Sequence, residues 1–210
     1  MSHLTNIDRL LDRMIARLER FTTWLVVLGG LMLVVSCLLV TVDVFLRKFF
    51  VVTLGGANDL AGYAFAIAMS WAMAYVLLNR GHIRVDVLYG WFSPPVRSIL
   101  DTASALALTM AAMLLLRWSA DTAYQSWRMG SVSNSDLAVP LWVPQALWSL
   151  GFAYFAAVGL LVTLSCVSGL AQGRHGAVAS RFGTLSQLEE AEAEIRPGLP
   201  VEAPFVARAE

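Results

Sequence analysis

Histidine and cysteine are scarce in this chain, charge is thin along its long apolar runs, and no internal repeat is evident. The three histidines, His3, His82 and His175, all fall outside those runs. A membrane bundle that holds haem needs histidines in pairs inside its spans as axial ligands, so haem is excluded. The two cysteines, Cys37 and Cys166, lie far apart within apolar runs and form no CxxC. That excludes a disulfide framework, a cysteine metal site and membrane thiol-oxidase chemistry. Both cysteines read as small apolar packing residues. Charged residues make up 14% of the 210, and their formal sum is zero. A soluble domain carries about a quarter charged residues, and a balanced charge removes the argument for nucleic acid as a partner. An enzyme of the bilayer would need a polar cluster at one interface, which three dispersed histidines and scattered acids do not supply. No cofactor and no catalytic residue is expected.

What the sequence has instead is apolar length. Hydrophobic residues are 58% of the chain and its mean hydropathy is +0.65. Four runs, 21–46, 59–78, 99–118 and 143–170, are each long enough to cross a hydrocarbon core of roughly 30 Å, which takes about 20 helical residues. The expected fold is an all-α integral membrane protein with four transmembrane helices in a membrane domain of residues 21–172. Spans one and four exceed the minimum, so they tilt or project beyond the hydrocarbon. Before them, Leu4, Ile7, Leu11, Met14, Ile15 and Leu18 recur at helical spacing, with Arg9, Arg13, Arg17 and Arg20 on other faces. Residues 1–20 therefore read as an amphipathic helix. The apolar run after Arg20 is too long for a signal core and ends on Arg47 and Lys48, so it reads as a retained span. After Arg181 the sequence turns acidic and then Pro-rich, and residues 173–210 read as a largely disordered tail.

Arginine and lysine near the span ends give the orientation. Arg9, Arg13, Arg17, Arg20, Arg80, Arg84, Arg97, Arg174 and Arg181 lie on one side. Arg47, Lys48, Arg128 and, at most, Arg117 lie on the other. Both termini and the connector 81–97 are expected in the cytoplasm.

Ionisable groups near membrane depth are costly and often functional. Asp43 and Arg47 stand four residues apart at the outer end of span one, and Arg117 and Asp121 repeat the spacing in span three. Such pairs can bond within a helix or snorkel to the headgroups. The expected interfacial anchors are Asp43, Arg47, Asp59, Arg97 and Trp142, with a proton or ion relay through the carboxylates as the competing role. In span two, Ala64, Ala68 and Ala72 form a stripe of small residues that lets helices approach closely. The stripe serves packing within the chain or against another subunit; spacing leaves both open. Six of the seven tryptophans fall near span ends, as an interfacial belt does; only Trp71, within span two, needs a packing partner of its own for its ring and N–H.

The connector 81–97, "GHIRVDVLYGWFSPPVR", is unusual. As a helix it would put Ile83, Val87, Leu88, Trp91 and Phe92 on one side, away from His82, Arg84 and Asp86. That suits a short helix lying in the interface between spans two and three, ended by Pro94-Pro95. The alternation from His82 to Val87 also fits an extended segment.

"HIRVDVLYGWFSPPVRSILD" resembles the signature of the small membrane subunit of TRAP transporters, the DctQ-type permease. "TVDVFLRKFF" looks like that family's way of closing span one with an arginine. "ANDLAGYAFAIAMSWAMAYVLLNRGHIRVD" is similar to its second span, and "AYQSWRMGSVSNSDLAVPLWVPQALWSLGF" to its outer loop and fourth span. The likeness covers roughly residues 31–170; the acidic tail is a departure from it. It implies one part of a three-part importer in the bacterial inner membrane. A periplasmic solute-binding protein captures an organic acid, a large membrane subunit carries the transport path and sodium sites, and the small subunit braces the large one among membrane lipid. On that footing His82, Arg84, Asp86, Trp71, Ala64, Ala68 and Ala72 are candidates for the partner interface. The competing class is an independent small transporter or channel that uses Asp43 or Asp59.

Overall fold

The computed structural model describes residues 2–79 and 92–173. They form four α-helices: α1 Ser2–Phe50, α2 Ala57–Leu78, α3 Pro94–Met129 and α4 Trp142–Ala171. The only β pairing among the described residues is an isolated antiparallel bridge between Val132 and Pro140. Each helix contains a segment long and apolar enough to cross a membrane.

The expected spans fall inside these helices, with three differences at their ends. α2 and α4 begin and end within two residues of expectation. α1 does not break near residue 20: the amphipathic segment and the first span form one helix of 49 residues, roughly 74 Å long at about 1.5 Å per residue. α3 starts earlier than its apolar run, at Pro94-Pro95, whose missing N–H groups belong to the first helical turn that has no acceptors anyway. It then outlasts the run by more than two turns and stops at Gly130. There φ is 62°, and the N–H groups of Gly130 and Ser131 return to the carbonyls of Trp127 and Ser126. That paired return closes a helix on a residue in the left-handed conformation, which glycine takes without steric cost. The expected interfacial helix, with His82, Arg84 and Asp86, lies outside the described residues, as does the tail beyond 173.

The helices stand in a row, not in a closed bundle. α1 packs on α2, α2 on α4, and α4 on α3, with a smaller contact from α1 to α4. Among the described residues α3 makes no extensive contact with α1 or α2. Burial follows from the row: 6% of the span in α1 is covered, against 56% in α4. The core accordingly centres on α4, through Phe152, Phe155, Val158, Val162 and Cys166, with Ala74 and Leu77 of α2 and Ala105 and Ala112 of α3 against it. Cys166 is buried as a packing residue, whereas Cys37 is exposed on α1.

Each seam of the row has a glycine where the neighbouring helix comes close. A Cβ on Gly29 of α1 would lie 3.2 Å from the Cβ of Ala68 in α2. One on Gly151 of α4 would lie 2.5 Å from Trp71 Cδ1 and 2.7 Å from Ser70 Cβ, both in α2. One on Gly159 of α4 would lie 2.8 Å from the Thr109 hydroxyl of α3. Lipid tails are as apolar as leucine, so helices gain by close backbone packing and not by hiding apolar surface. Hydroxyls at these seams satisfy themselves on their own helices: Ser70 donates to the Ile67 carbonyl at 2.9 Å and Thr109 to the Ala105 carbonyl at 2.8 Å. Across the α3–α4 seam the Thr109 and Thr163 hydroxyls are 2.9 Å apart.

Gly151→Ala is expected to destabilise the detergent-solubilised chain by about 1–3 kcal/mol, the usual cost of overpacking. Gly30→Ala, where an added Cβ meets nothing within 4 Å, is expected to be neutral or to stabilise by up to about 1 kcal/mol. Thermal unfolding followed by fluorescence size-exclusion chromatography reads both; equal melting points would refute the role given to the Gly151 seam.

Candidate functional site

The polar residues that α1 carries at the far end of its span converge where the chain folds back toward α2. Asp43 sits one turn before Arg47, and their side chains form an ion pair across that turn. The helix then ends at Phe50 and reverses through residues 51–56. Its first residue, Val51, is held at φ 57°, in the left-handed region that a β-branched side chain strongly disfavours. The reversal brings the Thr53 hydroxyl to 2.9 Å and the Leu54 N–H to 2.6 Å of Asp43 Oδ1, and both donate to it. The Asp43 carboxylate thus accepts from a guanidinium, a hydroxyl and a backbone amide, while the residue is only 2% exposed. An ionised carboxylate away from bulk water is tolerable only when it is paired in this way.

The turn leads directly into the connection between α3 and α4. Gly55 (φ 58°) packs on Asp136, where a Cβ would come within 2.7 Å of the carboxylate. Gly56 (φ 131°) packs on Leu137, within 2.5 Å of its Cδ1. Residues 131–141 form a narrow strap with Ser133 N–H donating to the Val139 carbonyl at 2.9 Å, Leu141 N–H to Ser131, and Val139 N–H to the Ser133 hydroxyl at 3.1 Å. The two loops lie against each other at one end of the row, called here the loop end. Just beneath the strap an apolar groove of about 460 Å³ opens between α1, α2 and α4, lined by Val35, Leu60, Tyr63, Ile67, Val139 and Leu147 among others.

The sequence-predicted residues distribute as follows. Asp43 and Arg47 meet in the cluster just described. Asp59 stands in the first turn of α2, partly exposed, where the helix dipole favours a negative charge. Trp142 opens α4 and is 42% exposed, a placement that suits an aromatic interfacial anchor. Arg97 lies at the opposite end, in the first turn of α3, with its Nε donating to the Phe92 carbonyl at 2.8 Å. In span two, Ala64 and Ala68 are buried within the chain, Ala68 against Gly29, and Ala72 is half-buried. Trp71 finds its partner in α4, donating from Nε1 to the Leu147 carbonyl at 3.1 Å. Arg117 and Asp121 pair at 3.3 Å on the surface of α3. Among the described residues, no three His, Cys, Asp or Glu side chains are grouped to hold a metal ion.

Sequence reasoning missed three participants. Thr53 and Leu54 reach Asp43 only because the chain reverses, which no helical spacing reveals. The third is Tyr154 of α4, whose hydroxyl lies 2.6 Å from the Thr22 hydroxyl of α1, with the Leu18 carbonyl 2.6 Å from Thr22 and 3.2 Å from Tyr154. This triangle ties the apolar span of α1, at its end opposite the loops, to α4. A lone tyrosine inside an apolar run, needing a partner for its O–H, is the signal that points to it.

Val51→Gly is expected to raise stability by about 0.5–1 kcal/mol, because release of a left-handed valine outweighs the added freedom of glycine in the unfolded chain. Comparison of melting temperatures in one detergent checks it, and a loss of stability would show that the left-handed turn carries no strain.

Searches among curated proteins and among solved structures gave no match to this chain. A family model does match, over residues 36–169, from within span one to the end of α4, and it takes in the Asp43 cluster, both loops and the Gly151 and Gly159 seams. The family is described as the DctQ component of tripartite ATP-independent periplasmic transporters, and the chain belongs to it.

Proposed function

We propose that this chain is the small membrane subunit that braces the large, sodium-coupled transport subunit of a tripartite importer, to which a periplasmic binding protein delivers an organic acid. The observation that carries the reading is the family match, which covers residues 36–169, most of the membrane part of the chain. The row of helices supports it. A closed four-helix bundle buries its apolar stripes internally, whereas this row leaves the face of α1 that bears Leu31, Val34, Leu38 and Phe45 uncovered. In the bilayer such a face meets either lipid or the surface of another membrane protein.

In this reading the chain lies in the inner membrane of a bacterial cell with both termini and the connector 81–97 in the cytoplasm, an orientation that the arginine distribution supports. The loop end then faces the periplasm, the side from which a binding protein approaches in a transient contact. On the opposite side, His82, Arg84 and Asp86 supply polar contacts to the large subunit, and the apolar residues between them set the depth of the connector. Ala72 and the α1 face supply the apolar part of that interface.

Asp43 bears on the competing reading, an independent transporter. Its carboxylate already accepts from Arg47, Thr53 and Leu54, which leaves little lone-pair capacity for a coupling ion. Its role here is to anchor the turn.

Tagged chain isolated from native membranes in mild detergent is expected to bring down one large polytopic membrane protein in a one-to-one complex. The triple substitution His82→Ala, Arg84→Ala and Asp86→Ala is expected to lower that recovery on the order of tenfold, as removal of specific polar contacts does at an interface. Recovery of the chain alone, or solute uptake by the chain alone in liposomes, would overturn the bracing role.

A further inference from the structure

The two loops at the loop end are far apart in sequence, and a continuous series of contacts joins them. It starts on α1, where Asp43 Oδ1 accepts from Thr53 and Leu54 and so fixes the turn 51–56. The turn in turn presents Gly55 and Gly56 to Asp136 and Leu137, so closely that a Cβ at either position would push the facing side chain aside. From there the strap carries the constraint inward. Ser135 shares a hydrogen bond with the Ser133 hydroxyl at 2.9 Å, that hydroxyl accepts from the Val139 N–H, and the Ala138 N–H returns to the Ser135 carbonyl at 3.0 Å. The series ends on Val139, whose side chain forms part of the wall of the apolar groove between α1, α2 and α4. Strain lies toward both ends of it: Val51, the first residue of the turn, and Ala138, just before Val139, are the only non-glycine residues with positive φ among those described, at 57° and 44°. Such conformations persist only where the surroundings over-determine them.

We propose that the turn 51–56 and the strap 131–141 form a single latch over the rim of the groove, and that Asp43 is the positioning residue that holds it shut. The latch joins the edge helix α1, which is otherwise bound to the row chiefly through α2, to the connection between α3 and α4. With the latch closed, Val139 is fixed in the groove wall. With it released, the strap keeps only its own narrow ladder of hydrogen bonds, and local opening of such a segment is inexpensive because few buried contacts oppose it.

Hydrogen exchange on the full-length chain in lipid nanodiscs, read by mass spectrometry, tests the coupling from both ends. Asp43→Ala is expected to speed exchange at the amides of Ser133 and Val139 on the order of tenfold, although they lie about 90 residues from the substitution, while α4 from Gly151 to Gly159 keeps its wild-type protection. Leu137→Ala is expected to speed exchange at the Leu54 amide, and Asp121→Asn, on the exposed pair of α3, to change neither loop. Wild-type exchange at Ser133 and Val139 in an Asp43→Ala protein that has lost protection at Leu54 would overturn the latch. A uniform speeding across α2 and α4 would also overturn it, since that is general destabilisation. Should Asp43→Ala fail to accumulate in membranes, Leu137→Ala decides alone: unchanged protection at Leu54 overturns the proposal.

Discussion

Close approach of helix backbones at three glycines is the constraint on which the rest of this structure depends. In lipid there is no hydrophobic drive between helices, so association rests on van der Waals contact and on the few hydrogen bonds that span a seam. Gly151 and Gly159 let a neighbouring helix come within a distance at which an added Cβ would force something to shift, and Gly29 allows an approach that a Cβ would make tight. Two of these neighbours present hydroxyls, Ser70 and Thr109, and each first satisfies its own helix by bonding a carbonyl three or four residues back. A hydroxyl at a helix seam inside a membrane is therefore nearly cost-free here, and it adds a small, close-packing surface.

Where the glycines lie decides the shape. α4 holds two of the three and so receives neighbours on two sides, which makes it the covered centre of the row. α1 holds one and becomes an edge. An edge helix in a row needs something other than extended packing to fix its angle, and polar contacts near the two ends of its span do this. Thr22 and Leu18 meet Tyr154 of α4 at one end, and Asp43 engages the turn before α2 at the other. Between them α1 touches the chain mostly through α2, and its remaining apolar surface is left for lipid or another subunit. The charged groups of the first span are thus at its ends, where desolvation costs least.

How much of this was legible in the sequence differs by the kind of pattern involved. Hydropathy located the four long apolar helices, because an apolar run matched to membrane thickness is also long enough to make a stable helix. It placed the ends of α3 poorly, because a helix stops where its backbone groups find caps and not where it ceases to be apolar. The cap is Gly130, twelve residues beyond the last residue of the expected span. The Asp43–Arg47 pair could be read from spacing alone, since both lie on one face of one helix. Gly151 and Gly159, eight residues and about two turns apart on α4, do leave a periodic trace, and with hindsight it is the signal for a close-packed face. Their partners leave none. Spacing shows one side of a seam only, which is why the stripe at Ala64 and Ala68 gave a packing surface but not the helix that meets it.

The same limit explains why Asp43 was ambiguous before its surroundings were known. A carboxylate near the end of a span, four residues from an arginine, has the composition of an anchor and of an ion relay alike. What separates the two is lone-pair occupancy. A relay or coupling site must exchange its partner during each cycle, so its partners have to be mobile or transient. Here one carboxylate oxygen holds a backbone amide and a hydroxyl of the reversal that follows its own helix, and the other holds the guanidinium one turn away. An ion entering that arrangement would have to displace a backbone N–H and a hydroxyl from the same oxygen, losing the bonds that hold the reversal. The geometry that makes Asp43 a good clasp for the turn makes it a poor stopping place for a passing ion.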